Sequence, residues 1–285
     1  MNNYDRPRRW RKMKKRETAG SEALLRKQEL LCVGACGKFL HRDAAEDHVW
    51  TLKDSGDNIS ALVIQSRRSL FPVLNGQAAV PLPRFLTGFF GNASVHAVQG
   101  LREESILLEN GMTELGFTAR ENIDYNLMSL DAEPDRRCFT AGPPGLIIRQ
   151  ADVIDTDALF ILQSGYEKEE VIPRDAEFNP AACRLTLQHI LGNEQILAAE
   201  FDGRLVGKIN TSMTSFTRKQ IGGVYVHPDY RGLGIARRMT AEFVRILIAR
   251  GWGTTLFVKK SNTQARAAYL SVGFKFLADY RISYY

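Results

Sequence analysis

Apolar positions in this chain recur at two spacings, and their order lays out the elements. Over residues 21–40 Leu24, Leu25, Leu31, Cys32, Ala35 and Phe39 fall on one side of a helix, with Ser21 placed to cap it. Short β-branched and apolar runs at 59–64, 70–74 and 95–98 read as strands. Residues 101–115 return to helical spacing through Ile106, Leu107 and Leu115, and 123–130 closes the first half as a strand. The stretch 132–144 has prolines and glycines but no periodicity, which marks a linker.

The second half repeats the alternation. A strand at 146–149 precedes a helix from Asp152 whose apolar face is Val153, Ile154, Ala158, Leu159 and Leu162. Residues 165–180 break the pattern, and a helix follows over 180–191. Runs at 196–201 and 205–211 flank Asp202-Gly203, a strong hairpin turn. A strand at 220–226 then stops at Pro228 and turns through Arg231, Gly232 and Gly234. Beyond the turn, Met239, Phe243, Ile246 and Leu247 give a helix ending near Gly251. Another strand, a helix and a final alternating strand complete the chain. The repeat has a faint sequence echo: Gly116-Phe117 leads to Asp124-Tyr125, and Gly273-Phe274 leads to Asp279-Tyr280. The expected division is a basic flexible tail over 1–20, one domain at 21–131 and another at 145–285.

Composition narrows the class without choosing a function. The 285 residues are 44% hydrophobic and 25% charged, enough for two ordinary globular domains. No run approaches the roughly 18–20 apolar residues of a membrane span, and no apolar segment follows the basic N-terminus as a signal peptide requires. The expectation is therefore a cytoplasmic protein with no membrane partner. The net charge of +6 is concentrated in the tail, where eight of the first sixteen residues are Lys or Arg, so the remainder is near neutral. Without interleaved aromatics beyond Trp10, that tail reads as a solvated terminus, and nucleic acid is not expected as a partner. The cysteines at 32, 36, 138 and 183 lack metal-ligand spacing, so Cys32 and Cys36 are taken as core residues and no metal is expected.

Chemistry concentrates in QIGGVYVHPDYRGLGIARR, residues 220–238. A strand that turns through two glycines into a helix N-terminus is an anion site. Unpaired amides point outward, the helix dipole favours negative charge, and Gly232 and Gly234 allow close backbone approach. No Gly-Lys-Ser/Thr follows, so this is not a P-loop. Arg231, Gly234 and Ala236 match the [Arg/Gln]-x-x-Gly-x-[Gly/Ala] signature, and the later Asn262, Ala265, Tyr269, Gly273 and Phe274 keep the offsets of a second one. Together these make residues 145–285 resemble the GNAT N-acetyltransferases. The first half resembles a degenerate GNAT-like domain that lacks the diphosphate turn.

The resemblance implies an α+β fold of two GNAT-like domains, each a mixed, mostly antiparallel sheet flanked by helices. It implies an N-acetyltransferase that moves an acetyl group from acetyl-CoA to a primary amine by direct attack. The amine belongs to a small molecule, a peptide or a protein. By the same resemblance, the backbone of Val224, Tyr225 and Val226 pairs with the pantetheine arm. The segment Arg231, Gly232, Leu233, Gly234, Ile235, Ala236 and Arg237 holds the diphosphate. Asn262 contacts the cofactor and Tyr269 protonates the departing thiolate. The base is open among Glu200, taken first, and Glu170, Asp175, Glu177 and His227. Lys208, Asn210 and Thr211 are expected along the acceptor groove. A non-catalytic acetyl-CoA sensor is the alternative, and the sequence leaves the oligomeric state undecided.

Overall fold

The structure is a computed structural model that describes residues 9–43, 45–76, 86, 95–173 and 176–285. It divides into two compact units, Met1–Leu127 with Ala278–Tyr285, and Met128–Leu277. Asp175, Arg6 and Arg8 lie outside the described residues.

In the first unit the strands are β1 (Arg11–Lys12), β2 (His48–Lys53), β3 (Ile59–Ser66), β4 (Ser69–Val73), β5 (Ala97–Leu101) and the first part of β6 (Glu121–Leu130). The helices are α1 (Thr18–Gln28), α2 (Val33–Leu40) and α3 (Arg102–Glu114). Two features depart from the periodicity reading. Residues 9–20 are not a loose tail: Arg11 and Lys12 pair with Thr51 and Trp50, and Trp10 packs on the unit's core. The single helix expected over 21–40 is two helices joined by a 3₁₀ turn, and Ser21 is a buried interior residue of α1, not its cap. Both helices pack on β3, so one apolar stripe serves two axes and periodicity does not register the break. Residues 278–285, the end of the C-terminal strand, belong to this unit, where Tyr280 lies opposite Leu101 and Tyr284 opposite Ala97. Arg281 fixes that register by pairing with Asp124 at 2.7 Å and with Glu109 at 3.3 Å.

The second unit contains the end of β6, β7 (Ile147–Gln150), β8 (Ile196–Phe201), β9 (Arg204–Thr214), β10 (Arg218–Val226), β11 (Gly253–Lys259) and the start of β12 (Lys275–Tyr284). Its helices are α4 (Thr156–Tyr166), α5 (Pro180–Asn193), α6 (Ile235–Ala249) and α7 (Thr263–Val272). Strands β7 to β10 are antiparallel in sequence, and β10 meets β11 in parallel. Helix α6 buries Met239, Phe243, Val244 and Leu247 in the main core. At the other helical layer, Leu159, Leu162 and Leu187 meet β8 and Tyr225.

Val153 and Ile154 do not join that layer. They sit in a 3₁₀ turn before α4, with exposures of 70% and 90%, because three residues per turn rotate them off the helical face. The segment 132–144 is packed into this unit, with Cys138 buried in its core. Four thiols are free. Each unit has a helix, a glycine at positive φ (Gly116 at 88°, Gly273 at 114°) and then a strand, the physical content of the sequence echo. The fold is α+β, with mixed, mostly antiparallel strands and flanking helices in each unit. Among the described residues, no helix is long and apolar enough to cross a membrane.

Candidate active site

Strands β10 and β11 stay paired only from Arg218 opposite Gly253 to Ile221 opposite Leu256. Beyond that point β10 keeps β9 on one side, and its register shifts between Gly222 and Tyr225. The bulge falls on Gly223 at φ 58°, where a Cβ would lie 2.0 Å from Asn210 Oδ1, so glycine is required. The parting strands open a cleft of about 810 Å³. Val224, Tyr225 and Val226 line it from the strand, and Asn262 and Tyr269 from α7.

Gly232 at φ 78° and Gly234 at φ 82° carry the chain from β10 into α6 at one end of the cleft. Gly234 is the N-cap residue and offers no side chain, so the first amides of α6 have no side-chain cap. A Cβ on Gly234 would sit 3.1 Å from the Gly142 nitrogen, which shows how closely residues 141–142 back the turn. Arg237 reaches the same backing segment, donating from Nη2 to the Arg137 carbonyl at 3.2 Å. Its Nε, and that of Arg238, are buried with no hydrogen-bond partner among the described residues. An uncapped helix start beside an unpartnered guanidinium N–H is a site for an anion.

Tyr225 packs under α4, with the Arg231 guanidinium 5.2 Å from its ring centre. Its hydroxyl donates to Glu169 at 2.7 Å, and a Cβ at Gly165 would fall 2.4 Å from that oxygen. Burial, with the Glu169 carboxylate adding to it, raises the phenol to about 12. Glu169 and Glu170 come from a π-turn, Glu167–Val171, that continues α4. Glu169 accepts from Arg231 Nη2 at 2.8 Å, while Arg231 Nε donates to the Val226 carbonyl at 3.0 Å. Glu170 accepts from Asn262 Nδ2 at 2.9 Å and lies 3.5 Å from Lys259 Nζ.

On α7, Asn262 serves two neighbours at once: its Oδ1 caps the helix by accepting from the Ala265 N–H at 3.0 Å, and its Nδ2 faces the cleft. Tyr269, two turns on, is 8% exposed and edge-on to Phe274. Burial raises its phenol well above the ordinary value, with Tyr166 and Glu170 adding to the shift. It therefore stays protonated through the neutral range and is available as a proton donor.

The structure thus gathers Val224, Tyr225, Val226, Arg231, Gly232, Gly234, Ile235, Ala236, Arg237, Asn262 and Tyr269 around one cleft. It does not bring Leu233 there, which points to solvent at 46% exposure. Nor does it bring Glu200, the first choice of base. That carboxylate accepts from Arg149 Nε at 2.9 Å in a separate depression, and Arg149 is bound in turn to Asp155. His227 lines that same depression, and Glu177 is exposed. Lys208, Asn210 and Thr211 line no groove, being buried at 0%, 3% and 0% exposure. Sequence reasoning missed Glu169 as a partner of Arg231 and missed the Gly165–Tyr225 contact. Gly165, where the apolar periodicity breaks off, is the available signal for the contact. No cluster of three or more His, Cys, Asp or Glu placed to hold a metal occurs among the described residues.

Comparison with known proteins agrees with this geometry. Residues 159–274 match the family described as Acetyltransferase (GNAT) family. No curated protein matches the chain. Among solved structures, a Drosophila protein is similar with a TM-score of 0.66 at 15% identity, covering 97% of this chain and 98% of its own. A GCN5-related N-acetyltransferase from Sphaerobacter thermophilus has a TM-score of 0.63 at 18% identity, covering 97% and 94%. A tandem GNAT protein from the clavulanic acid biosynthesis pathway has a TM-score of 0.57 at 12% identity, covering 97% of each chain. At these identities the likeness is one of fold, and it extends over both units.

Proposed function

We infer, from a GNAT-family acetyltransferase domain carried by residues 159–274, that this chain is an acetyl-CoA-dependent N-acetyltransferase acting on a primary amine. One observation carries the reading: the splayed end of β10, the uncapped start of α6 and the buried Tyr269 phenol face a single cleft. Acetyl-CoA, when bound, supplies an activated acetyl thioester. The residues present fit it. Two glycines at positive φ and the unpartnered Arg237 Nε suit a diphosphate, and unpaired strand backbone suits an amide-bearing arm.

In this reading the amides of residues 235–237 and the Arg237 guanidinium hold the diphosphate, and Arg231 exchanges Glu169 for phosphate oxygens. The β10 backbone orients the arm, and the Val224 N–H would donate to the acyl oxygen. Asn262 fixes the start of α7 so that Tyr269, one helical face along, presents its hydroxyl as the proton donor to the leaving sulfur. Glu170, on the cleft wall beside Asn262, replaces Glu200 as the carboxylate that takes the proton of an ammonium acceptor.

Calorimetric titration of acetyl-CoA into the wild type and into Arg237→Glu tests the site. A carboxylate in the first turn of α6 suits the helix dipole, so the variant folds while its charge repels the diphosphate. Binding by the wild type and loss of at least about tenfold in affinity in the variant is expected. Absence of binding by the wild type refutes the reading. Thiol release with a panel of amines then separates an enzyme from a sensor that binds without turnover.

A further inference from the structure

The cluster around Lys208 has no task in the mechanism above. Lys208 sits in the middle of β9, opposite Tyr225, with no exposed surface. Its ammonium donates to Asn210 Oδ1 at 2.8 Å and to the Gly223 carbonyl at 3.0 Å, and it lies 5.1 Å from the centre of the Tyr166 ring. Asn210 is oriented for this by donating its own Nδ2 to the Thr211 carbonyl at 2.8 Å. All three ammonium donors therefore have an acceptor or a π face. The acidic group nearest in chemistry, Glu167, is engaged with Gln163 Nε2 at 2.9 Å. A buried lysine without a direct carboxylate partner costs stability that a methionine of similar length would not. Fold stability alone does not account for it.

Its position accounts for it. The Gly223 carbonyl belongs to the peptide whose N–H is that of Val224. Among the described residues no peptide bond is cis, so that N–H points opposite to the carbonyl. The carbonyl faces the Lys208 side, so the N–H faces the other, where Val224 lines the cleft and β11 pairs no further than Ile221. We propose that Lys208 is a positioning residue: by holding the Gly223 carbonyl it fixes the bulge and aims and polarises the Val224 N–H as the donor to the acyl carbonyl. The proposal rests on the acetyl-CoA reading given above. A cation on the carbonyl end of a peptide strengthens donation from its N–H end, and more so in a dry interior than in water. The bulge is built for this arrangement, since a Cβ on Gly223 would come within 2.6 Å of Nζ.

The ammonium is also poised to titrate. Burial pulls it down to about 7, against the opposing influence of Glu167 from the π-turn and Cys183 from α5, with Tyr166 facing it from α4. Lys208 thus loses its proton near neutrality, and the peptide it polarises should report that loss.

The test uses acetyl-CoA with an isotope-labelled acetyl carbonyl, observed by infrared difference spectroscopy on the wild type and on Lys208→Met. In the wild type at mildly acid pH the bound carbonyl should absorb at lower frequency than the free one. In Lys208→Met most of that shift should vanish while acetyl-CoA affinity stays within about threefold, because the diphosphate contacts are untouched. An equal shift in the two proteins, or a bound carbonyl unshifted in the wild type, overturns the proposal and leaves the function standing. A wild type that does not bind acetyl-CoA overturns the function and this proposal together. Where Lys208→Met does not fold, the Val224 amide-proton resonance of the unliganded wild type decides. It should move along a one-proton curve across neutral pH, and a flat response overturns the proposal.

Discussion

Replacing Glu104 with glutamine should remove a loss of stability that the first unit otherwise suffers as pH rises through neutrality. Glu104 is buried at the start of α3, where Oε1 accepts from the Leu74 and Asn75 N–H groups at 2.8 Å each. Desolvation dominates those two hydrogen bonds and raises the carboxyl from the ordinary 4.5 to about 7. A raised carboxyl binds its proton more tightly folded than unfolded. Its neutral form is therefore the comfortable one, and stability declines as pH rises from 4.5 through 7. A difference of about 2.5 units corresponds to about 3 kcal/mol, all of it exacted above the folded value and none below 4.5. Glutamine keeps the carbonyl acceptor for both backbone donors and carries no charge. Urea unfolding of wild type and Glu104→Gln at mildly acid and mildly alkaline pH isolates the term, since every other titrating group cancels in the difference. The variant should gain on the order of 3 kcal/mol over the wild type on the alkaline side and little on the acid side. The same difference at both pH values would refute the desolvation argument.

Other positions give equally direct tests. Gly165→Ala drives a methyl into the Tyr225 ring and should cost about 1–3 kcal/mol by overpacking. Pairing it with Tyr225→Leu should recover most of that loss, and additive costs in the double-mutant cycle would count against the contact. Asn262→Ala removes the α7 cap and should lower stability by about 1 kcal/mol, read as a lower urea midpoint, with weaker acetyl-CoA binding in the same variant. Tyr269→Phe should leave acetyl-CoA affinity near wild type and reduce turnover on the order of a hundredfold. Because burial raises this phenol, its donor role should also persist into the alkaline range, and unchanged turnover in the variant would remove Tyr269 from the chemistry.

The features readable from the chain alone are local. A strand, two glycines and a helix start lie within nineteen residues, so the anion turn at 220–238 is encoded by near neighbours and is readable without a fold. The same holds for Asn262 and Tyr269, two turns apart on one helix, and for the Asp202-Gly203 hairpin, where Asp202 takes a φ of 49° and Gly203 one of 72°. Groups that act through distant partners were not readable. Glu200 looked free on an alternating strand, and only the pairing of β7 with β8 sets Arg149 beside it. Lys208 looked like a groove residue from the expected place of its hairpin, and a strand pattern does not tell what covers a face. The helical layer of α4 and α5 over that face, together with the Gly223 bulge, buries it. Glu169 and Glu170 sat in a segment with no period. A π-turn, invisible to periodicity, delivers one to Arg231 and the other to Asn262, 62 and 92 residues away along the chain. Sequence patterns specify what a residue does to its neighbours within a turn or two of chain. The long-range pairings that decide which charges meet in the cleft are set by strand register and helix packing, and these are properties of the whole fold.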